Sequence, residues 1–205
     1  MTAPTHAHRF HAGTGGRSPV VLLHGSHGSE SDLIPVADEI APEASKLSIR
    51  GTASMDEGYA FFHRLPDGRI DPDDIIARMP ILAGFIGTAC ADYNLTRRPV
   101  AIGFSNGAIM AAALLMTYPG LLAGAILFRP LAPFTHDQAD CVDDIPVLIV
   151  DGAHDNRRSP GDGLHLAEQL HRAGALVTHR VLSVGHAITA EDKAVAREWL
   201  LTQEC

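Results

Sequence analysis

The sequence is short of the features that assign many proteins at a glance. Three cysteines, Cys90, Cys141 and Cys205, are scattered through 205 residues. Their number and spacing argue against both a disulfide framework and a thiolate metal site. There is no block of like charges: 16 Lys and Arg stand against 24 Asp and Glu, a formal net charge of -8. Nothing in that balance attracts nucleic acid or an anionic membrane surface. The first 16 residues are polar and lack the apolar stretch of a secretory signal. No run reads as long and apolar enough to span a bilayer, and no repeat, low-complexity tract or linker interrupts the chain. The expectation is a reduced, cytoplasmic, single domain over residues 1–205, with a loose start over 1–16 and an edge strand around Arg9 to Ala12.

What is present is more specific. Hydrophobic residues make up 46% of the chain and charged residues 20%, ordinary for a globular domain. An apolar run, Val100-Ala101-Ile102, leads into Gly103-Phe104-Ser105-Asn106-Gly107 and then into Ala108-Ile109-Met110-Ala111-Ala112-Ala113. This reads as a buried strand, a glycine-rich turn and a helix. Small residues on both sides of Ser105 let the backbone turn too sharply for side chains to fit, which pushes the hydroxyl out at the sheet's edge. That is the G-x-S-x-G nucleophile elbow in its required strand–turn–helix context.

Other segments alternate between the same two kinds of element. Short apolar strands are read at 19–23, 46–49, 123–128 and 145–150, with a half-apolar one at 176–182. Helical spacing links Leu33, Val36, Ala37 and Ile40, with Asp32 as cap. Asp71-Pro72 opens a helix whose stripe is Ile75, Met79, Leu82, Ile86 and Tyr93. Pro80 within it predicts a kink or a delayed start. Thr189-x-x-Asp192 resembles a capping box before the last helix, whose apolar face is Val195, Ala196, Trp199 and Leu200. The alternation predicts an α/β fold, a mostly parallel sheet with helices on both faces.

In such a sheet the strand-to-helix turns gather at one edge. Four of them carry groups suited to acyl transfer: His24 to Gly28, Ser105, Asp155 and His186. A serine needs an adjacent base, and the base an orienting acid. Asp151, at the strand end, and Asp162 compete with Asp155 for the acid. The turn His24-Gly25-Ser26-His27-Gly28 supplies backbone N–H groups for an oxyanion hole. Phe61-Phe62-His63-Arg64 either lines a pocket or is a loop pinned by two buried phenylalanines. His6, His8 and His11 sit at alternate positions, but solvated histidines near a chain end are the better reading than a metal site.

The chain resembles the phospholipase/carboxylesterase branch of the α/β-hydrolases, close to small bacterial carboxylesterases and hydroquinone-linked hydrolases. The resemblance runs nearly end to end. Leu22-Leu23-His24-Gly25 with Glu30-x-Asp32-Leu33, Gly103-Phe104-Ser105-Asn106-Gly107-Ala108, Leu127-Phe128-Arg129-Pro130, Gly152-x-x-Asp155 and Gly185-His186 carry it. It implies a Ser105, Asp155, His186 triad, an oxyanion hole from the backbone N–H groups of Ser26 and Asn106, no lid domain, no cofactor or metal, and a possible homodimer. Three departures stand out: His27 replaces a common glycine, Val184 another, and Asn156-Arg157-Arg158 replaces a more apolar run after the acid.

The expectation is therefore a serine esterase acting on small esters, short or flat and aromatic. His24, His27, Phe61, His63 and Arg129 are candidate pocket residues, and Arg129 alternatively supports the site from beneath. A thioesterase or lactone hydrolase shares the same triad chemistry. A binding protein on the same scaffold is the rival of another class, and its expected signature, a broken triad or missing elbow glycine, is absent.

Overall fold

The structure, a computed structural model, describes residues 6–134, 142 and 144–203. Cys141 and Cys205 fall outside the described residues. The N-terminal edge strand is β1 (His8–His11), followed by β2 (Val20–Leu23), α1 (Ile34–Ile40) and β3 (Lys46–Ile49). A small hairpin, β4 (Ala53–Ser54) and β5 (Tyr59–Ala60), occupies the long stretch read as irregular. Then come α2 (Pro72–Asp92), β6 (Val100–Phe104), α3 (Asn106–Thr117), β7 (Gly124–Phe128) and β8 (Pro146–Gly152). The described chain ends with α4 (Asp162–Arg172), β9 (Leu176–Leu182) and α5 (Ala190–Gln203).

One sheet of seven strands runs in the order β1-β3-β2-β6-β7-β8-β9, with every pairing parallel except that of β1 on β3. Successive side chains of a strand point to opposite faces, and the central strands show it. Val21, Leu23, Ala125, Leu127, Val147 and Ile149 pack with α2, α3 and α4 on one face. Val20, Leu22, Ile126, Phe128, Leu148 and Val150 pack with α1 and α5 on the other. Strands that are apolar on both faces need cover on both, and that dictates the three layers. α3 lies deepest, with every residue from Asn106 to Met116 buried. That explains its apolar sequence on all sides. β9, at the edge, is only half covered.

Local signals were mostly met, with three exceptions. Asp71 caps α2 through the N–H groups of Asp73 and Asp74, but Asp32 does not cap α1. Leu33 holds the cap position, and the Asp32 carboxylate accepts from the Ser29 hydroxyl instead. Pro80 neither delays nor ends α2, which runs from Pro72 through to Asp92. The carbonyl it strips of a partner belongs to Ile76, on the exposed face of the helix and open to solvent. By length and composition α2 also meets the requirement for crossing a bilayer, with a mean hydropathy of 1.4, contrary to the expectation from sequence. Here its Ile75, Met79, Leu82 and Ile86 stripe packs on the core.

The N-terminal histidines serve the edge of the sheet. His6 is buried and bonds the Arg50 carbonyl, and His8 bonds the Tyr93 hydroxyl. Among the described residues no group of three or more metal-ligating side chains converges.

Candidate active site

The elbow is built from glycines that cannot be anything else. A Cβ on Gly103 would lie 2.6 Å from the Ala108 Cα, and one on Gly107 would lie 2.1 Å from the Leu23 carbonyl oxygen. Between them Ser105 is held at φ 51, ψ -108, outside the regions an L-residue favours. Strain of this kind costs roughly 1–3 kcal/mol and persists only where the surroundings impose it. Here the Ser105 N–H donates to the Phe128 carbonyl, and its own carbonyl accepts from Ile109 at the start of α3.

Three side chains from three loops then meet. With its Nδ1 protonated, His186 donates to Asp155 Oδ2 at 2.7 Å, and the Ser105 hydroxyl donates to His186 Nε2 at 3.2 Å. Asp155 follows β8, and His186 follows β9 in the loop before α5. The other two acids are engaged elsewhere. Asp151 faces His179 on the edge strand, and Asp162 accepts from the Ser159 N–H. Burial would raise the Asp155 carboxyl, but the hydrogen bonds from His186 and the Arg157 N–H outweigh it and hold the group below the usual carboxylate range. Burial lowers the His186 imidazole; Asp155 opposes this, and Arg158 and Arg157 reinforce it. The ring is therefore neutral, and a proton acceptor, at neutral pH.

Among the described residues the backbone N–H groups of Ser26 and Asn106 meet no acceptor, whereas those of Gly28 and Ser105 beside them do. Asn106 is the first residue of α3, so its N–H is one of the donors a helix cannot satisfy internally. The Asn106 side chain has a job the sequence did not reveal. Its Oδ1 accepts from the Phe61 N–H at 2.7 Å and its Nδ2 donates to the Phe62 carbonyl at 3.0 Å. That ties the elbow to the 61–64 loop. His27 keeps the left-handed backbone (φ 64) that a glycine would adopt, so the turn survives the substitution. Its imidazole reaches out to the Glu57 carbonyl and lines neither cleft beside Ser105.

The remaining pocket candidates are corrected by burial or by where their side chains point. His24 is 1% exposed; its Nδ1 donates to the Gly25 carbonyl and its Nε2 accepts from Gly51 N–H, so it locks β2 to β3. Phe61 is buried against the His24 ring at 4.8 Å, and Phe62 is buried beside it, so this pair pins the loop. His63 points away, to the Ser54 carbonyl and towards Asp74. Arg129 is 0% exposed and makes a bidentate pair with Asp192 at 2.7 and 2.9 Å. Its other N–H groups donate to the carbonyls of Val150, Gly185 and Ala187, fastening the His186 loop to β8 and α5.

Two residues beside Ser105 were not foreseen as parts of the site. Phe104 packs its ring 5.2 Å from His186. Arg158 donates from Nη2 to the Ser105 oxygen at 3.0 Å, and from Nε and Nη2 to the Arg129 carbonyl. The only signal was the departure at Asn156-Arg157-Arg158. Two clefts are lined by the neighbours of Ser105. One, of about 550 Å³, has Gly25, Ser26 and His186 with mainly apolar walls from Leu33, Val36, Phe104 and Ile188, and Asp32 and Arg157 also line it. The other, of about 730 Å³, includes Arg64, Arg158 and Arg157.

Comparison with known proteins bears on the family and the fold. The sequence profile of the Phospholipase/Carboxylesterase family matches residues 17–202. MhqD of Bacillus subtilis (strain 168), whose name assigns it to the hydrolases, is 34% identical over 181 residues, 88% of this chain and 90% of that protein. The crystal structure of the Bacillus cereus carboxylesterase superposes with a TM-score of 0.92 at 36% identity, covering 96% of this chain and 94% of the other. A carboxylesterase from Mesorhizobium loti gives 0.90 at 32% identity, covering 98% and 97%. The sheet and its helices are those of the α/β-hydrolase fold.

Proposed function

The chain belongs to the phospholipase/carboxylesterase family, and from that premise we propose that it cleaves small carboxylic esters through a Ser105 acyl-enzyme. The observation that carries this reading is the unbroken chain of hydrogen bonds Asp155–His186–Ser105, beside two backbone donors with no acceptor among the described residues.

His186 Nε2 takes the Ser105 proton as Oγ bonds the ester carbonyl carbon. The carbonyl oxygen becomes an oxyanion, received by the N–H groups of Ser26 and Asn106. Asp155 fixes the imidazole tautomer and stabilises the imidazolium. Collapse breaks the bond to the alkoxy oxygen, and His186 hands its proton to the departing alcohol. Water then repeats the sequence against the acyl-enzyme, releasing the acid and restoring Ser105. Each oxyanion donor is worth about 3–4 kcal/mol in comparable sites. The mainly apolar cleft beside His186 suits a short acyl chain or a flat ring better than a long lipid.

The test is intact-protein mass after exposure to a small fluorophosphonate, on the wild type and on Ser105→Ala. A single adduct on the wild type and none on the variant is expected. No adduct on a folded wild type would overturn the reading and favour a binding protein on the same scaffold.

A further inference from the structure

The second cleft beside Ser105 runs against the composition of the chain. Acids outnumber bases overall, yet this cleft gathers Arg64, Arg69, Arg157, Arg158 and His165, with Asp162 as its acid. Arg69 is neutralised by Asp67 at 2.7 Å. Arg64 and Arg158 make no such contact pair. Both are half-buried, and among the described residues neither has a carboxylate within ion-pair distance. Arg64 donates to the Gly68 carbonyl. Arg158 donates to the Arg129 and Arg157 carbonyls and to Ser105. Burial lowers both guanidinium groups, and Arg64 adds to the effect on Arg158; Asp155, Asp162 and Asp151, beyond ion-pair distance, oppose it, and the group is left at about 10. It remains cationic at neutral pH.

Two like charges drawn out of water beside each other are costly unless an anion joins them. Paired guanidinium forks match a carboxylate or a phosphate. The bond from Arg158 to Ser105 also fixes where that anion would sit relative to the scissile carbonyl. We propose that this cleft, through Arg64 and Arg158, binds an anionic group of the ester substrate, a carboxylate or a phosphate a few bonds from the carbonyl that Ser105 attacks. The proposal rests on the esterase reading for its chemistry. The mainly apolar cleft beside His186 takes the uncharged remainder of the ester. Arg158 then has two partners, the incoming anion and the resting Ser105 hydroxyl, so binding of the anion draws it from the nucleophile.

The experiment compares kcat/KM for monoethyl succinate and ethyl butyrate, and for the carboxylate-bearing O-butyryl glycolate and ethyl butyrate, by proton release at pH 7.5. Alongside, succinate and inorganic phosphate are titrated calorimetrically into the wild type, Arg64→Gln and Arg64→Lys. A preference of at least tenfold for one of the anionic esters is expected. Arg64→Gln should cut that ratio at least fivefold and weaken anion binding by tenfold, while Arg64→Lys keeps part of both. Binding of phosphate but not succinate would assign the subsite to phosphate esters. Turnover of ethyl butyrate with no anionic preference and no anion binding would overturn this proposal and leave the esterase reading standing. Anion binding without fluorophosphonate labelling or turnover would overturn the esterase reading and leave the anion site.

Discussion

Two arginines near the ends of β7 and β8 show how differently one side chain is used. Arg129 is sealed from solvent, bidentate with Asp192, and has all five N–H groups engaged. Its charge is cancelled and its geometry fixed, so it acts as a brace between β8, the His186 loop and α5. Arg158 reaches the carbonyl of that same Arg129, but among the described residues no carboxylate comes within ion-pair distance of it, and it ends on the Ser105 oxygen. Arg129 is wholly buried and Arg158 half-buried, and only Arg129 has a counter-ion in contact. An arginine with its counter-ion in contact belongs to the scaffold, and one without is, under the proposal above, the group that receives the substrate's anion.

The largest effect that would break this contrast is on stability. Arg129→Met leaves the Asp192 charge buried and unpaired, a loss of about 3–5 kcal/mol. Urea unfolding should show the midpoint fall, and Arg129→Met with Asp192→Leu should recover most of it. Equal stability of the single variant and the wild type would deny the brace. Next comes Arg158→Gln, for which the order reverses. Unfolding free energy should change by less than about 1 kcal/mol, in the range of sites outside the core, while kcat/KM for carboxylate-bearing esters drops at least tenfold. A variant that unfolds like Arg129→Met would put Arg158 with the scaffold.

The smallest effect is on the pH profile. Because burial and the neighbouring cations lower His186, the acid limb of kcat/KM on a neutral ester should lie below the ordinary imidazole value of about 6.5. Arg158 disfavours the imidazolium, so Arg158→Gln should move that limb upward. A shift downward would mean that Arg158 does not face His186 as described.

The elbow was readable because its constraint is local. Gly103 and Gly107 are forced by contacts within the strand–turn–helix itself and with the adjacent β2. Capping of α2 by Asp71, and the Thr189 to Asp192 exchange before α5, were legible for the same reason. Legibility faded where one residue serves two ends of the chain. Asp192 was read as half of a capping box, which it is, yet the same carboxylate pairs with Arg129, 63 residues earlier. The run Phe61 to Arg64 divided: two phenylalanines sink into the core while Arg64 turns to the cleft. Nothing in their spacing separates those fates, because the run lies outside a regular element and has no period to read.

The sequence alone determined the layered α/β architecture, since apolar strands and amphipathic helices carry their burial in their periodicity. It also ordered the groups for acyl transfer, since strand ends of a parallel sheet share an edge. Tertiary structure decided which acid faces His186, which histidines merely lock strands together, and which arginine is left without a counter-ion in contact. Charge balance is settled by distance, and distances between residues far apart in the chain exist only once the sheet has brought its loops together.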